Sequence, residues 1–130
     1  MSHLLDQLPN DLIAAIQQVY EPAGLKITHV LREDESSEYG AYRFSLEDHK
    51  VVFRVAKTTP TKIGQFVTLW KRPHDVIVPL DVNDDIDFDF VIINVSDTKN
   101  HGQFIFNKNI LLNKGILSQG NKKGKLAFRV

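Results

Sequence analysis

The chain has 130 residues, 42% hydrophobic and 25% charged, and its 16 basic and 16 acidic side chains balance to a formal charge of zero. That profile fits one soluble globular domain over residues 1–130 and is too small for two. The absence of cysteine excludes disulfides, thiolate metal sites and cysteine nucleophiles, and makes a reducing cytoplasm the natural compartment.

Leu12, Ile13, Ile16, Val19 and Tyr20 follow helical spacing behind Asn10, a residue suited to capping. Pro22 disfavours helix at Glu21, so this first helix is expected to end near Tyr20. Residues 25–31 are a strand candidate. Tyr42, Phe44 and Leu46 alternate on a second strand, and residues 51–56 form a third, joined to it as a hairpin by the polar turn Glu47-Asp48-His49. Beyond it, Thr59 as N-cap, Pro60 at the first helical position, and Ile63, Phe66, Val67 and Trp70 at i, i+3, i+4 and i+7 favour a helix. Gly64 and the β-branched, aromatic run QFVTLW argue for a strand there instead; the helix from Pro60 is the expectation adopted. Residues 88–95 and 103–106 predict a second hairpin. Residues 108–113 predict a short helix capped by Asn107 and stopped by Gly115, and residues 126–130 a closing strand. The sum is an α+β domain with a mixed β-sheet flanked by helices.

Net neutrality hides a gradient. Residues 1–49 carry nine acids and three bases, residues 50–97 seven and six, and residues 98–130 no acid and seven bases. The basic tail, Lys99, Lys108, Lys114, Lys122, Lys123, Lys125 and Arg129, forms a face for an anionic partner if the fold gathers it, or folds against the acidic first third and is neutralised. No apolar run approaches the ~18 residues of a membrane span, and acids stand where a signal peptide needs bases, so no membrane association is expected.

Most catalytic templates fail on inspection. Asp81, Asn83 and Asp85 begin like a calcium loop, but Ile86 takes the place of the turn glycine and Ile92 that of the bidentate glutamate. GNKKGKL, residues 120–126, is one residue short of a P-loop and has Leu126 where a hydroxyl would hold magnesium; it reads as a flexible basic loop. His3, His29, His49, His74 and His101 have no metal-ligand spacing, and no GxSxG elbow occurs.

What remains is the central block FRVAKTTPTKIGQFVTLWKR, residues 53–72, which concentrates cations and amides and holds no acid. Metal-dependent nucleases place an acid, a second acid two residues before a lysine, and a following helix at the end of a hairpin. Glu38 and Lys57 suit two of those roles, but Val55 occupies the position of the second acid. A magnesium site would have to borrow Glu35, Asp84, Asp85 or Asp87. Candidate ligand contacts are Arg54, Lys57, Lys62, Gln65, Lys71 and Arg72 in the block, with Gln103, Lys125 and Arg129 beyond it. Each also has a structural reading. Arg54, between apolar Val52 and Ala56, fits a buried arginine paired with a carboxylate such as Glu38 or Asp87. Trp70 is expected in the core on a stripe with Phe66, and Gln65 and Gln103 serve a ligand or cap backbone groups.

EYGAYRF (38–44), the central block, the spaced acids Asp81, Asp84 and Asp87, GQFIF (102–106) and Gly115-Ile116 resemble the MepB family of small bacterial proteins over roughly residues 36–130. The resemblance implies a restriction-endonuclease-like topology and no established activity. It also implies a continuation past an RVYPPW-like motif, relative to which this chain is C-terminally short, with Asn107 in place of a proline and Leu126 in place of an arginine. The expected function is binding of nucleic acid or a nucleotide phosphate on a nuclease-like scaffold without efficient catalysis, and with no cofactor. The alternatives are a magnesium-dependent nuclease using Glu38, Lys57 and Asp87, with Glu38, Asp84 and Asp87 as metal ligands, and a protein-interaction or small-ligand module.

Overall fold

The computed structural model describes residues 8–84 and 88–130. Helix α1 (Asn10–Ala15) runs directly into a π-helical segment (Ile16–Tyr20). Pro9 rather than Asn10 stands at the N-cap, where φ −64° and ψ 151° suit its ring, and its carbonyl accepts from the Leu12 and Ile13 amides at 3.1 and 3.0 Å. The segment closes near Tyr20 as expected, through Glu21 N–H to the Ile16 carbonyl at 2.9 Å.

Strands β1 (Ile27–Arg32), β2 (Tyr42–Leu46) and β3 (His49–Val55) follow, with β2 and β3 joined by a tight turn at Glu47 and Asp48. Next come the short strands β4 (Lys57–Thr58), β5 (Gln65–Thr68), β6 (Trp70–Lys71) and β7 (Val78–Pro79). The chain then forms β8 (Phe90–Ser96), β9 (His101–Asn107), helix α2 (Lys108–Asn113) and β10 (Ala127–Arg129). Asn107 caps α2 as its sequence predicts, its Oδ1 accepting from the Ile110 amide at 2.9 Å, and Gly115 leaves the helix with φ 72°.

The main sheet has the order β1-β2-β3-β8-β9 and is mixed, because β3 and β8 pair in parallel while the other neighbours are antiparallel. Alternation along the strands separates two cores. One face sends Phe44, Val51, Phe53 and Ile92 against Leu12, Ile16 and Tyr20 of the N-terminal helix. The other sends Val52, Val91 and Ile93 against Val67, Leu69, Leu80, Leu111 and Leu117.

The helix expected from Pro60 is not formed. Residues 57–79 instead build two small sheets, β10-β5-β4 and β6-β7. Phe66 pairs with Lys57 on one side and with Arg129 on the other, so hydrogen bonding to a strand almost half the chain away outweighs the local helix signals. Gly64, at φ 85°, packs so closely on Val130 that a Cβ would stand 2.8 Å from its carbonyl oxygen, and Ile63, assigned to the buried stripe, is 98% exposed. Trp70 is half-buried on β6 rather than in the core, with the Arg72 guanidinium 5.4 Å from its ring centre. The helix that a restriction-endonuclease-like order places after the hairpin is thus replaced by strands.

Among the described residues three polar side chains are buried, Ser36, Arg54 and Asn94, and one of them is charged. Arg54, on the central strand β3, is 1% exposed. Its Nη1 donates to the Glu33 carboxylate and, at 2.9 Å, to the Phe53 carbonyl, and Arg43 Nε reaches the other Glu33 oxygen at 2.6 Å. The partner is Glu33, from the loop after β1, rather than Glu38 or Asp87; Asp87 lies outside the described residues. Burial pushes the Arg54 pKa down from the usual arginine value, and the charge of Glu33 opposes that push. Glu33→Ala, which strands the guanidinium, is expected to lower stability by about 3–5 kcal/mol, and Arg54→Met, which removes the charge and its need for a partner, by less. Urea midpoints of the two variants check the order, and equal losses would show that Arg54 does not depend on Glu33.

Candidate functional site

The acidic loop after β1 meets the cations of the central block one by one. Besides the Glu33 pair, Arg72 Nε donates to Glu35 at 2.8 Å, and Lys57 Nζ lies 4.0 Å from Glu38. Ser36, itself buried, accepts from the Thr68 hydroxyl at 2.6 Å and ties the loop to β5. Lys71 is bound to Asp84, whose other oxygen accepts from the Asp81 amide at 3.0 Å. Asp84 therefore serves an internal ion pair rather than a solvated turn; Asp85 and Asp87 lie outside the described residues.

Both glutamines are hydrogen-bonded within the fold. Gln65 Nε2 donates to the Ser96 carbonyl at 2.8 Å and to the Thr58 hydroxyl at 3.1 Å, and Gln103 Nε2 to the Tyr20 hydroxyl at 3.0 Å. Of the central candidates, Lys62 and Lys57 keep exposed ammonium stems, and Lys57 also lies 4.9 Å from the Tyr39 ring centre. Glu38 and Lys57 do converge at the end of the hairpin, as the nuclease pattern requires, but both are exposed. Val55 fills the place of the second acid and packs on Gly40, where a Cβ would come within 2.8 Å of its Cγ2. Among the described residues, no group of three or more histidine and acidic side chains is placed to hold a metal ion.

The basic tail is arranged differently. The acidic first third pairs with the central block, and among the described residues Lys114, Lys122, Lys123 and Lys125 form no salt bridge. Lys114, Lys125 and Arg129 line a cleft of about 450 Å³ together with Phe104, Phe106 and Phe128, and among the described residues no acid lines it. Phe104 and Phe106 project from one face of β9 with their rings parallel within 3° and 6.0 Å apart, and Phe128 meets Phe106 edge-on at 6.4 Å. Arg129 lies with its guanidinium 5.3 Å from the Phe66 ring centre, and its Nη1 is buried without a hydrogen-bond partner. Lys114 is placed by the end of α2, and Lys125 by the hydrogen bond that its backbone N–H donates to the Ile116 carbonyl at 2.9 Å.

Lys125 and Arg129 were expected at a site from charge alone, whereas the three phenylalanines were not. For Phe104 and Phe106 the signal was the i, i+2 spacing in GQFIF on a strand, which marks one face without saying which partner covers it, and Phe128 reaches them from the closing strand. The string GNKKGK also acquires a physical role. Gly124 passes so close to the backbone of residues 116–118 that a Cβ would stand 2.2 Å from the Ile116 carbonyl oxygen. Its amide donates to the Ser118 hydroxyl at 2.8 Å. The glycine serves close approach of two chain segments rather than a phosphate loop.

The sequence profile of the MepB-like family matches residues 33–130. A solved structure described as the crystal structure of MepB is 31% identical to this chain, with a TM-score of 0.77 over 94% of this chain and 80% of that one. No curated protein shows significant similarity.

Because nothing at Gly124 can give way except backbone, Gly124→Ala is expected to cost about 1–3 kcal/mol. Gly102→Ala is the control, since its Cβ would meet only Val95 at an ordinary 3.7 Å. Thermal melting of both variants checks this; a Gly124→Ala protein as stable as Gly102→Ala would refute the close-approach role.

Proposed function

The chain belongs to the MepB-like family, and from that premise and the geometry above we propose that it binds nucleic acid or a nucleotide phosphate through the cleft between β9, β10 and the end of α2. The observation that carries this reading is the acid-free convergence of Lys114, Lys125 and Arg129 on Phe104, Phe106 and Phe128. Cations alone mark many solvated surfaces. Combined with an aromatic face they match what an unpaired strand offers, a phosphate backbone to neutralise and bases to stack. Phe104 is 44% exposed, enough for a ring to lie against it. Among the described residues Lys114 and Lys125 have no acid to release before they engage phosphate, unlike Arg54, Lys71 and Arg72, which are already paired. A cytoplasmic setting is part of this reading, supported by the absence of cysteine; among the described residues no helix is long and apolar enough to cross a membrane. A restriction-endonuclease-like scaffold belongs to the same proposal, supported by the antiparallel β2-β3 pair whose second strand gains a parallel neighbour.

A second reading has one observation in its favour, the meeting of Glu38 and Lys57 at the hairpin end. There, Glu38 would be a metal-binding carboxylate and Lys57 the cation facing the developing phosphorane charge. Val55 removes one carboxylate from that arrangement, so binding without efficient hydrolysis is the function proposed.

Fluorescence anisotropy with labelled single-stranded DNA and RNA, titrated across salt, tests the binding. Affinity is expected to fall steeply with salt, and Lys114→Ala and Lys125→Ala each to reduce the log–log slope by about 0.7. Phe104→Ala is expected to weaken binding by about 1–3 kcal/mol with the slope unchanged. Absence of binding at low salt would refute the proposal. Incubation of the same substrates with magnesium or manganese is expected to give no robust turnover; turnover abolished by Glu38→Gln in a folded protein would establish the nuclease reading instead.

A further inference from the structure

A second cleft, of about 380 Å³, lies on the opposite face of β9, between that strand and the N-terminal helix. Its walls join apolar Ala14, Ala15 and Val19 from the helical side and Ile105 from the strand with the exposed Gln18 and His101, and among the described residues no lysine, arginine, aspartate or glutamate lines it. At its base sits Asn94 of β8, 4% exposed, whose Nδ2 has no hydrogen-bond partner among the described residues. A buried amide end left unpaired is costly, and such groups in folded proteins are normally satisfied by a ligand or an ordered water.

Asn94 is not alone. Its direct cross-strand neighbour is Gln103, so two carboxamides stand side by side on one face of the β8-β9 pair. The Gln103 amide is held by its bond to the Tyr20 hydroxyl, which commits Nε2, and no described residue donates to its Oε1. The cleft thus offers an unsatisfied donor and an uncommitted acceptor next to each other, between apolar walls. The helix wall carries a π-helical segment, Ile16–Tyr20, a distortion found disproportionately at functional sites.

We propose that this cleft binds a small, neutral, planar heterocycle bearing an amide-type edge, an adjacent C=O and N–H, as in a lactam, a pyridone or a carboxamide ring. The carbonyl accepts from Asn94 Nδ2, the N–H donates to Gln103 Oε1, and the ring is sandwiched between Ala15 and Val19 on one side and Ile105 on the other. The volume falls within the range of small-molecule sites. Neutrality follows from the lining, whose single titratable side chain among the described residues is the exposed His101, so an ion held beside buried Asn94 would be desolvated without a fixed counter-charge. The site is independent of the basic cleft. Gln103 and Ile105 point to one side of β9 and Phe104 and Phe106 to the other, so a ligand of one cleft does not reach the other through the sheet.

Heteronuclear NMR titration of the full chain with uracil, nicotinamide and pyridone, and with benzoate and benzylamine as charged controls of similar size, tests the proposal. At least one neutral probe is expected to give saturable shifts of the Asn94 and Gln103 side-chain amides. Asn94→Leu, which keeps volume and removes the amide, is expected to weaken that probe about tenfold or more. Ala14→Leu, at a half-buried position on the cleft wall, is expected to abolish binding and decides the matter should Asn94→Leu fail to fold. Three results overturn the proposal: no saturable shift with any neutral probe, meaning that the cleft holds water only; equal binding of the charged controls; or unchanged binding in the folded variants.

Discussion

A guanidinium buried on the middle strand of the sheet is the constraint around which this chain is arranged. Arg54 sits where water cannot reach it, and a charge in such a place persists only with a partner. Glu33 supplies it, and Arg43 on the neighbouring strand supplies a second cation on the far carboxylate oxygen. Fixing Glu33 fixes the start of the loop that follows, and the next residues are drawn down in order, Glu35 to Arg72, Ser36 to Thr68, and Glu38 towards Lys57. A single buried charge therefore decides where an entire acidic segment lies and which cations it consumes.

The functional reading descends from that arrangement. Had the acids folded onto the last third of the chain, the protein would present little net field anywhere. They fold onto the central block, and the field left over belongs to the tail, beside aromatic rings on the sheet edge. Strand β9 then carries different chemistry on its two sides, cationic and aromatic on one, neutral and amide-bearing on the other, because alternate residues of GQFI face opposite ways.

Most strands and both helices were legible in the sequence wherever the signal was local. The hairpins, the Asn107 cap and the Gly115 stop depend on residues within a few positions of one another, and all are present. Buried pairing of Arg54 was legible too, since a lone arginine between Val52 and Ala56 on a strand has few other options, but its partner was not, because Glu33 and Glu38 are equally acidic and only the path of the loop selects between them. The segment after Pro60 was misread for a related reason. Its cap, its proline and its spacing all describe a helix, while the pairing of Phe66 with β10 draws on residues that no local window contains. The aromatic half of the basic cleft escaped notice likewise, since it is assembled from β9 and β10 together.

The parallel pairing of β3 with β8 has a kinetic side. Each of these strands also belongs to a hairpin of nearest neighbours, β2-β3 and β8-β9, which closes over a short loop at little entropic expense. Joining the two hairpins into one sheet requires closing the excursion from residue 56 to residue 89, and β5 must find β10 at the far end of the chain as well. Contacts of such separation slow folding. The halves of the molecule are thus expected to acquire their hairpins early and the β3-β8 seam late. Until that seam forms, Val52 and Val91 lie uncovered at two open strand edges, the stage at which this chain is most prone to associate with a copy of itself.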